Sequence, residues 1–318
     1  MTHPPIIPPP LKRPPPLRRG DRVALISPSS HQGTQAPFLE AAVDVLTGWG
    51  LKVDPLPNPE PRYLYLAGPD EERARRFLDG WLDPQVKGLF FSRGGYGASR
   101  ILPWLDANRF AAAPPKWVVG FSDATALFAW MAAKGGVMAM HGPCMAQPGA
   151  LTAPRRGESL DGLRQVLFDP FPGVRRLITP FNDAARQRAG VRGRLVGGCL
   201  SVWMTTLATP WEVDPGGTVL FLEDIEEPPY KIDRMFTHLR QAGGLEGVSA
   251  VVLGYFNQCD SDPPELLGRV WEDLFGQSPI PVFSGLAAGH GDPNLSLPLG
   301  GEARVTVADD RTAWLEVE

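Results

Sequence analysis

The chain has 318 residues, of which 43% are hydrophobic and 21% are charged, as in a globular protein with a substantial core. This length favours two domains over one. The net charge of −4 gives no electrostatic reason to expect binding to nucleic acid or an anionic membrane, and no apolar run is long enough to span a bilayer.

The first 19 residues are crowded with proline and carry four basic side chains. They lack the apolar core of a signal peptide, so the pattern does not support export. We interpret residues 1–19 as an extended or disordered leader. The three cysteines are far apart and form no C-x-x-C pair, so they predict neither a disulfide framework nor a metal site, and we expect a cytoplasmic protein.

From Asp21 onward, apolar strands alternate with helices. This alternation predicts a parallel sheet with helices on both faces, forming an N-terminal α/β domain over residues 20–148. Active sites of such sheets lie at the carboxyl ends of the strands. The predicted strands cover residues 22–28, 51–53, 86–92 and 116–119, and the predicted helices cover 36–49, 70–82 and 124–131.

The pattern changes in the second half of the chain. Residues 149–189 are rich in proline, glycine and arginine, and we interpret them as a connecting segment. Beyond it, short strands and helices predict a smaller mixed or barrel-like C-terminal domain over residues 190–318. Residues 191–198 open this unit. Its strands are predicted at 219–222, 248–254 and 303–307, and its helices at 200–207 and 230–241.

Ser122 lies in a short run, Gly120-Phe121-Ser122-Asp123, between a buried strand and a helix. A serine at such a turn presents its hydroxyl at the edge of the sheet, near helix N–H groups that can stabilise an oxyanion. The competing interpretation is that Ser122 or Asp123 only caps the helix.

A serine nucleophile needs a base to accept its proton. Of the candidates, His290 lies in a glycine-flanked turn that can aim an imidazole across a domain boundary, although a loop histidine without a role fits almost as well. His141 follows a strand and fits the core or its rim, and His238 lies on the polar side of a helix. The five histidines are His3, His31, His141, His238 and His290.

The base needs an acid to orient it, and the run after residue 222 offers several. Glu223 directly ends an apolar strand and is therefore held rigidly, whereas Glu226 and Glu227 lie further into a turn. Asp224 is a further candidate. The competing interpretation is a solvated charge run that precedes the next helix.

The run Gly94-Gly95-Tyr96-Gly97 follows another strand, and its N–H groups can face an oxyanion or a phosphate. A phosphate loop is disfavoured because the pattern lacks the expected lysine. A plain strand-to-helix turn is the alternative. Arg93 and Arg100 can each bind a substrate carboxylate through a guanidinium fork, or only cover the surface.

The ordered set of segments resembles the bacterial LD-carboxypeptidases, a serine peptidase family that includes the microcin C self-immunity peptidases. The resemblance covers nearly the whole chain after the leader. The matching segments are residues 20–29, 65–73, 92–97 with Arg100, 119–125, 141–143, 195–200, 222–224, 227–235 and 289–290.

The resemblance implies that Ser122 is the nucleophile, His290 the general base and Glu223 the acid that orients it. It also implies an oxyanion hole formed by the backbone N–H groups of Gly95 and Asp123. The implied fold is a Rossmann-like domain joined to a smaller β-rich domain, with the site between them, and many members are homodimers. The family needs no metal or organic cofactor, and we expect Arg93 and Tyr96 to contact the substrate.

The implied reaction is hydrolysis of the amide between an L-centre, usually of a diamino acid, and the terminal D-alanine of a murein tetrapeptide, in cell-wall recycling. One alternative is an immunity peptidase that cleaves a peptidyl-adenylate and stacks it on an aromatic side chain. Two others are a non-catalytic peptide binder and a nucleotide-binding protein. The stacking candidates are Trp203, Trp211, Tyr230 and Tyr255.

Overall fold

Strands and helices alternate along the first half of the chain in the computed structural model, which describes residues 10–56, 61–170, 173–187, 190–260, 263 and 265–318. The strands are β1 (Arg22–Ile26), β2 (Lys52–Asp54), β3 (Val86–Phe91), β4 (Trp117–Gly120) and β5 (Ala139–His141). The helices are α1 (Phe38–Gly48), α2 (Asp70–Leu82), α3 (Ala98–Ile101), α4 (Ala107–Ala112) and α5 (Ala124–Trp130).

The second half contains more strands than helices. Its helices are α6 (Pro148–Leu151), α7 (Arg156–Phe168), α8 (Asp183–Gln187), α9 (Leu200–Met204), α10 (Pro229–Gln241) and α11 (Leu266–Phe275). Its strands are β6 (Val174–Pro180), β7 (Val191–Cys199), β8 (Thr218–Ile225), β9 (Ala250–Asn257), β10 (Val282–Ser284), β11 (Leu297–Leu299), β12 (Glu302–Val307) and β13 (Ala313–Val317).

Six strands form the N-terminal sheet in the order β11-β5-β4-β3-β1-β2. The pairs among β1 to β5 are parallel, and β11 is antiparallel to β5. Helix-covered parallel strands are buried on both faces, which explains why β4 reads as an unbroken apolar run. The predicted Rossmann-like sheet is confirmed, but its edge strand β11 comes from the far end of the chain.

The other seven strands close into a barrel in the order β10-β6-β13-β12-β7-β8-β9. Strands β7, β8 and β9 run parallel to one another. Their carboxyl ends therefore lie at one rim of the barrel, and Glu223 lies near that end of β8. The predicted β-rich, barrel-like second unit is confirmed.

The interpretation of residues 149–189 as a simple connection is wrong. This segment contains the 13-residue helix α7 and the strand β6, which pairs with β13 and β10 in the barrel. The helix α7 buries Leu163, Val166 and Leu167, which recur at helical spacing. The proline and glycine residues around this helix made its apolar pattern hard to recognise in the sequence.

The expectation of a disordered leader is wrong for residues 10–19. Leu17 is 2% exposed, and its N–H donates to the Leu167 carbonyl at 2.7 Å. The Leu11 N–H donates to the Gly300 carbonyl at 2.9 Å, and the Trp117 indole donates to the Pro15 carbonyl at 3.1 Å. Residues 10–19, which belong to no named helix or strand, thus pack through a few apolar side chains and through backbone N–H and carbonyl groups. Residues 1–9 lie outside the described residues.

The two units meet where α5 packs on β7. The Thr125 hydroxyl, on the first turn of α5, accepts the N–H of Cys199 at 2.9 Å, and Thr125 is fully buried. A Cβ at Gly198 would lie 2.3 Å from that hydroxyl, so the backbone of β7 approaches the helix directly. This contact fixes the N-terminus of α5 against the rim of the barrel.

Candidate active site

Ser122 occupies the turn between β4 and α5, with a left-handed backbone at φ 63°. That conformation costs an L-residue about 1–2 kcal/mol. Non-glycine residues held in this way are found preferentially at functional sites. The strained turn projects the Ser122 hydroxyl from the carboxyl edge of the sheet, as the nucleophile interpretation of the sequence requires.

Three side chains form a continuous hydrogen-bonded relay across the junction of the two units. The Ser122 Oγ lies 3.0 Å from His290 Nε2, although the two residues are 168 positions apart. His290 Nδ1 lies 2.7 Å from Glu223 Oε2, and that same oxygen accepts the backbone N–H of His290 at 3.0 Å. Ser122 follows β4 of the sheet, Glu223 lies in β8 of the barrel, and His290 lies in the loop between β10 and β11.

The environment of His290 favours an imidazolium. Burial disfavours the protonated ring, but the charge and hydrogen bond of Glu223, with Asp224 and Glu226 adding to them, raise the pKa of His290 above its ordinary value of 6.5. Glu223 is fully buried and the His290 side chain is 13% exposed. The ring is therefore strengthened as a proton acceptor and is oriented by a carboxylate that water does not reach.

The loop that carries His290 is held by contacts the sequence analysis missed. The Asn294 side chain accepts the N–H of Gly289 at 2.9 Å, and the Asn257 amide donates to the His290 carbonyl at 3.0 Å. Gly289 has φ 106°, and a Cβ there would lie 2.3 Å from Glu223 Oε2, so only glycine fits beside the acid. No sequence motif marks either asparagine: Asn257 acts on a residue 33 positions away, and Asn294 bonds back to Gly289 within the His290 loop.

The other acids of the charge run do not reach His290. Asp224 is buried and accepts the N–H of Ser201 at 2.7 Å, which caps α9, and burial raises the pKa of its carboxyl. Glu227 pairs with Lys231 at 3.1 Å. Glu226 is exposed, with a left-handed backbone. Among the described residues, Glu223 alone places a carboxylate oxygen within hydrogen-bond distance of the ring.

The remaining histidines do not approach Ser122 within hydrogen-bond distance in the described part of the chain. His141 is fully buried on β5, and burial together with the nearby His290 lowers its pKa to about 3. His238 is exposed on α10. The carbonyl of His31 accepts from Arg93 at 3.0 Å. His3 lies outside the described residues.

The glycine run after β3 lies against Ser122, since a Cβ at Gly94 would be 3.0 Å from the Ser122 Cβ. Gly95 and Asp123, the predicted oxyanion residues, therefore occupy neighbouring loops. The Tyr96 ring is exposed beside Tyr65, with the centroids 5.9 Å apart. Arg93 donates to backbone carbonyls of the loop after β1.

Arg100 is held by Asp70, which accepts from its Nε and Nη2 at 3.0 and 2.8 Å. This ion pair ties α3 to the start of α2. The Arg100 guanidinium is therefore engaged in a structural ion pair and does not present a free fork to a substrate carboxylate.

The aromatic stacking candidates differ in exposure. Trp203 is 4% exposed and Trp211 packs against a hydrophobic core, so both serve the interior. Tyr230 is 64% exposed on α10. The Tyr255 ring covers the loop after His290, because a Cβ at Gly291 would lie 2.3 Å from it.

Within the described ranges, no helix is long and apolar enough to cross a membrane. No group of three or more His, Cys, Asp and Glu side chains in that part of the chain is arranged to hold a metal ion. The chemistry that the arrangement itself supports is nucleophilic attack by a serine that a carboxylate-oriented histidine deprotonates.

Profiles of known families match both units. The LD-carboxypeptidase N-terminal domain matches residues 23–142, and the LD-carboxypeptidase C-terminal domain matches residues 192–305. The murein tetrapeptide carboxypeptidase of Pseudomonas aeruginosa is 30% identical over 303 residues, which cover 92% of this chain and 95% of that protein. The microcin C7 self-immunity protein of Escherichia coli is 28% identical over 266 residues, 74% and 76% of the two chains.

A solved structure shares the fold throughout. The crystal structure of a muramoyltetrapeptide carboxypeptidase from Oxalobacter formigenes superposes with a TM-score of 0.81 at 29% identity, covering 93% of this chain and 98% of that one. With both profiles and the full-length relative, the chain belongs to the LD-carboxypeptidase family. It is a carboxypeptidase, and therefore a hydrolase of peptide bonds.

Proposed function

We propose that this protein is a serine-type LD-carboxypeptidase that removes the terminal D-alanine from murein tetrapeptides. The observation that carries the proposal is the relay from Ser122 through His290 to Glu223, with contacts of 3.0 and 2.7 Å. The substrate class rests on the likeness to the murein tetrapeptide carboxypeptidase of P. aeruginosa.

In the proposed mechanism, Ser122 Oγ attacks the carbonyl carbon of the diamino acid residue while its proton passes to His290 Nε2. The tetrahedral intermediate collapses when His290 returns that proton to the leaving nitrogen, which releases D-alanine and leaves an ester on Ser122. A water molecule then gives a proton to His290 and attacks the ester, and the second collapse restores Ser122. Glu223 stabilises the imidazolium during each step.

The oxyanion of each intermediate is stabilised, in this proposal, by the backbone N–H groups of Gly95 and Asp123. Asp123 is at the N-terminus of α5, where the helix dipole favours negative charge. Arg93 and Tyr96 flank this hole and contact the peptide. The enzyme works as a cytoplasmic homodimer in peptidoglycan recycling.

The experiment compares purified wild-type protein with Ser122→Ala on a murein tetrapeptide, measuring released D-alanine. We expect the variant to lose on the order of 10⁴-fold or more in rate while its circular dichroism and melting temperature are kept. Ser278→Ala is the matched control, because Ser278 follows α11, and its hydroxyl accepts the N–H of Ile280 at 3.1 Å in a local turn. Near-normal turnover by Ser122→Ala would reject Ser122 as the nucleophile.

A second candidate substrate is favoured by the likeness to the microcin C7 self-immunity protein. A peptidyl-adenylate is incubated with the same two proteins, and loss of the adenylate is measured. Cleavage of the adenylate with no release of D-alanine would assign the chain to the immunity branch. The reverse result is the one we expect.

A further inference from the structure

The Asp123 side chain does not do what an aspartate at a helix start usually does. It sits at the N-cap of α5, yet it makes no side-chain bond to the N–H groups of its own helix. Its Oδ2 instead accepts the N–H of Ala98 at 2.7 Å, across to the loop that follows β3. The carboxylate is 2% exposed, so this contact is made out of reach of bulk water.

Ala98 is the first residue of α3, whose own N-cap is Gly97. Gly97 has φ 128°, and a Cβ there would lie 2.6 Å from the Leu66 side chain and 2.9 Å from Arg73 Nη1. The position therefore admits no capping side chain. Asp123 supplies the missing cap from the neighbouring loop, and the Gly97 N–H also interacts with its carboxylate.

Arg73 holds the same turn from the opposite side. It is 1% exposed, and it donates to the Gly97 carbonyl at 2.8 Å and to the Gly68 carbonyl at 3.1 Å. It also donates to the Pro28 carbonyl in the loop after β1. The peptide units around Gly97 are thus bonded on the N–H side by a carboxylate and on the carbonyl side by a guanidinium.

The burial of this carboxylate is costly. Burial raises the pKa of the Asp123 carboxyl above its ordinary value, and the Ser29 hydroxyl, the N–H groups of Ala98 and Gly97 and the Arg73 charge only partly offset it. A neutral N-cap on the same helix would avoid that cost. The contacts of the Asp123 carboxylate with the loop after β3 therefore offset its burial, since it makes no capping bond to its own helix.

We propose that the Asp123 carboxylate is a positioning residue that holds the loop from Gly94 to Ala98 over Ser122. The loop carries the Gly95 N–H, and its Gly94 lies against the Ser122 Cβ. Asp123 contributes its own N–H to the same oxyanion hole, so one residue fixes the spacing of both donors. This inference rests on the proposed function insofar as those two N–H groups bind the oxyanion.

The test compares Asp123→Asn and Asp123→Ser with Asp106→Asn. Asp106 is a matched control because it caps α4 in the ordinary way, accepting the N–H groups of Asn108 and Arg109 at 2.9 and 3.1 Å, and is exposed. Two rates are measured per active site: turnover of a murein tetrapeptide, and covalent labelling of Ser122 by a fluorophosphonate. The labelling reaction uses the same oxyanion donors without needing the natural substrate.

We expect Asp123→Ser to lower kcat on the order of 10²-fold, since a displacement of about 1 Å in a reacting group costs that much. The KM should stay within about threefold, because the lost contact acts in the transition state. Labelling should slow in parallel, and the acidic limb of the pH profile should not move, because the His290–Glu223 pair is untouched. The loss of kcat should be smaller for Asp123→Asn than for Asp123→Ser, and Asp106→Asn should keep the kcat of the wild type.

The inference is overturned if both Asp123 variants keep kcat and labelling rates per active site within threefold of wild type. It is also overturned if the loss appears in KM alone. Should Asp123→Ser fail to fold, the nearly isosteric Asp123→Asn carries the test. If wild type is labelled but does not release D-alanine, the proposed substrate is wrong while the labelling rates still decide the role of Asp123.

Discussion

The two sides of the active site are built in different ways. On the nucleophile side, the loops after β1, β3 and β4 follow adjacent parallel strands and are bonded to one another through Arg73 and Asp123. On the acid–base side, Glu223 lies in a buried barrel strand, but His290 lies on a loop that Asn257 and Asn294 hold. The nucleophile thus lies at the junction of a strand and a helix, with side chains bonding the neighbouring loops, whereas the base lies on a loop and is positioned by side-chain contacts alone.

This difference predicts where each side is vulnerable. The nucleophile side should depend on the Ser122 turn and on Arg73 and Asp123, the two buried side chains that bond its loops together. The position of His290 should depend on the single side chains that hold it. The position of Ser122 relative to His290 should depend on the hydrogen bond between Thr125 and Cys199. Each variant below is chosen to break one of these dependences.

Among the variants that test this comparison, the largest effect is expected at Glu223, the acid. Glu223→Gln keeps the size of the side chain but cannot stabilise the imidazolium, so kcat should fall on the order of 10³–10⁴-fold. Glu226→Gln is the matched control, because Glu226 is exposed and makes no contact with the ring within hydrogen-bond distance among the described residues. Its kcat should stay within about threefold. Equal, mild losses in both variants would move the orienting acid away from Glu223.

The pH dependence of kcat/KM provides a separate test of the same pair. His290 must be neutral to accept the Ser122 proton, and the pKa of His290 is raised above 6.5. The kcat/KM of the wild type should therefore fall as the pH is lowered, and the midpoint of this acidic limb should lie above 6.5. The residual activity of Glu223→Gln should show that limb at lower pH, because the carboxylate no longer favours the imidazolium. A limb that stays in place would show that Glu223 does not set the charge state of His290.

A smaller effect is expected at Thr125, where α5 contacts β7 of the barrel. Thr125→Val keeps the shape of the side chain but leaves the buried N–H of Cys199 without its acceptor, which costs about 1–3 kcal/mol of stability. Because α5, which directly follows the Ser122 turn, can then shift against the barrel, kcat should fall about tenfold. Thr205→Val, on an exposed turn, is the control. A loss of stability with full kcat per folded molecule would limit Thr125 to a structural role.

The smallest effect on activity is expected from residues 10–19, for which the structure records no hydrogen bond to Ser122, Glu223 or His290. Leu17→Ala should destabilise the fold by about 2–4 kcal/mol, because Leu17 is buried in the main core. Its kcat should match wild type at temperatures where the protein is folded. Arg18→Ala, at an exposed neighbour, should change stability by less than about 0.5 kcal/mol. Equal melting temperatures for the two variants would restore the interpretation of the segment as a free leader.

Much of the fold follows from local pattern. The predicted helix at 70–82 and the predicted strands near β3 and β4 agree with the structure within a residue or two, because apolar periodicity is a local signal. The packing of residues 10–19 and the pairing of β11 with β5 were not predicted. Both join segments that are distant along the chain, and neither contains a periodic pattern long enough to mark a partner.

The site divides in the same way. The Ser122 turn is a local strand-to-helix signal. The sequence favours Glu223 over its neighbours as the rigid end of an apolar strand, but in the structure β8 continues to Ile225, so Glu223 lies within the strand. The position of its turn and the family resemblance point to His290. The sequence gives no sign of the contacts by which Asn257 and Asn294 hold the His290 loop. Asp123 was considered as a helix cap, but its carboxylate serves a different helix, a contact that depends on the order of strands in the sheet.

The most direct test of the central claim is the identity of the residue that becomes covalently modified. Wild-type protein is treated with a fluorophosphonate and digested, and the modified peptide is located by mass spectrometry. We expect one adduct, on Ser122, that disappears in Ser122→Ala and forms far more slowly in His290→Ala. An adduct on another residue, or full carboxypeptidase activity after stoichiometric labelling of Ser122, would contradict a serine relay that joins the two units.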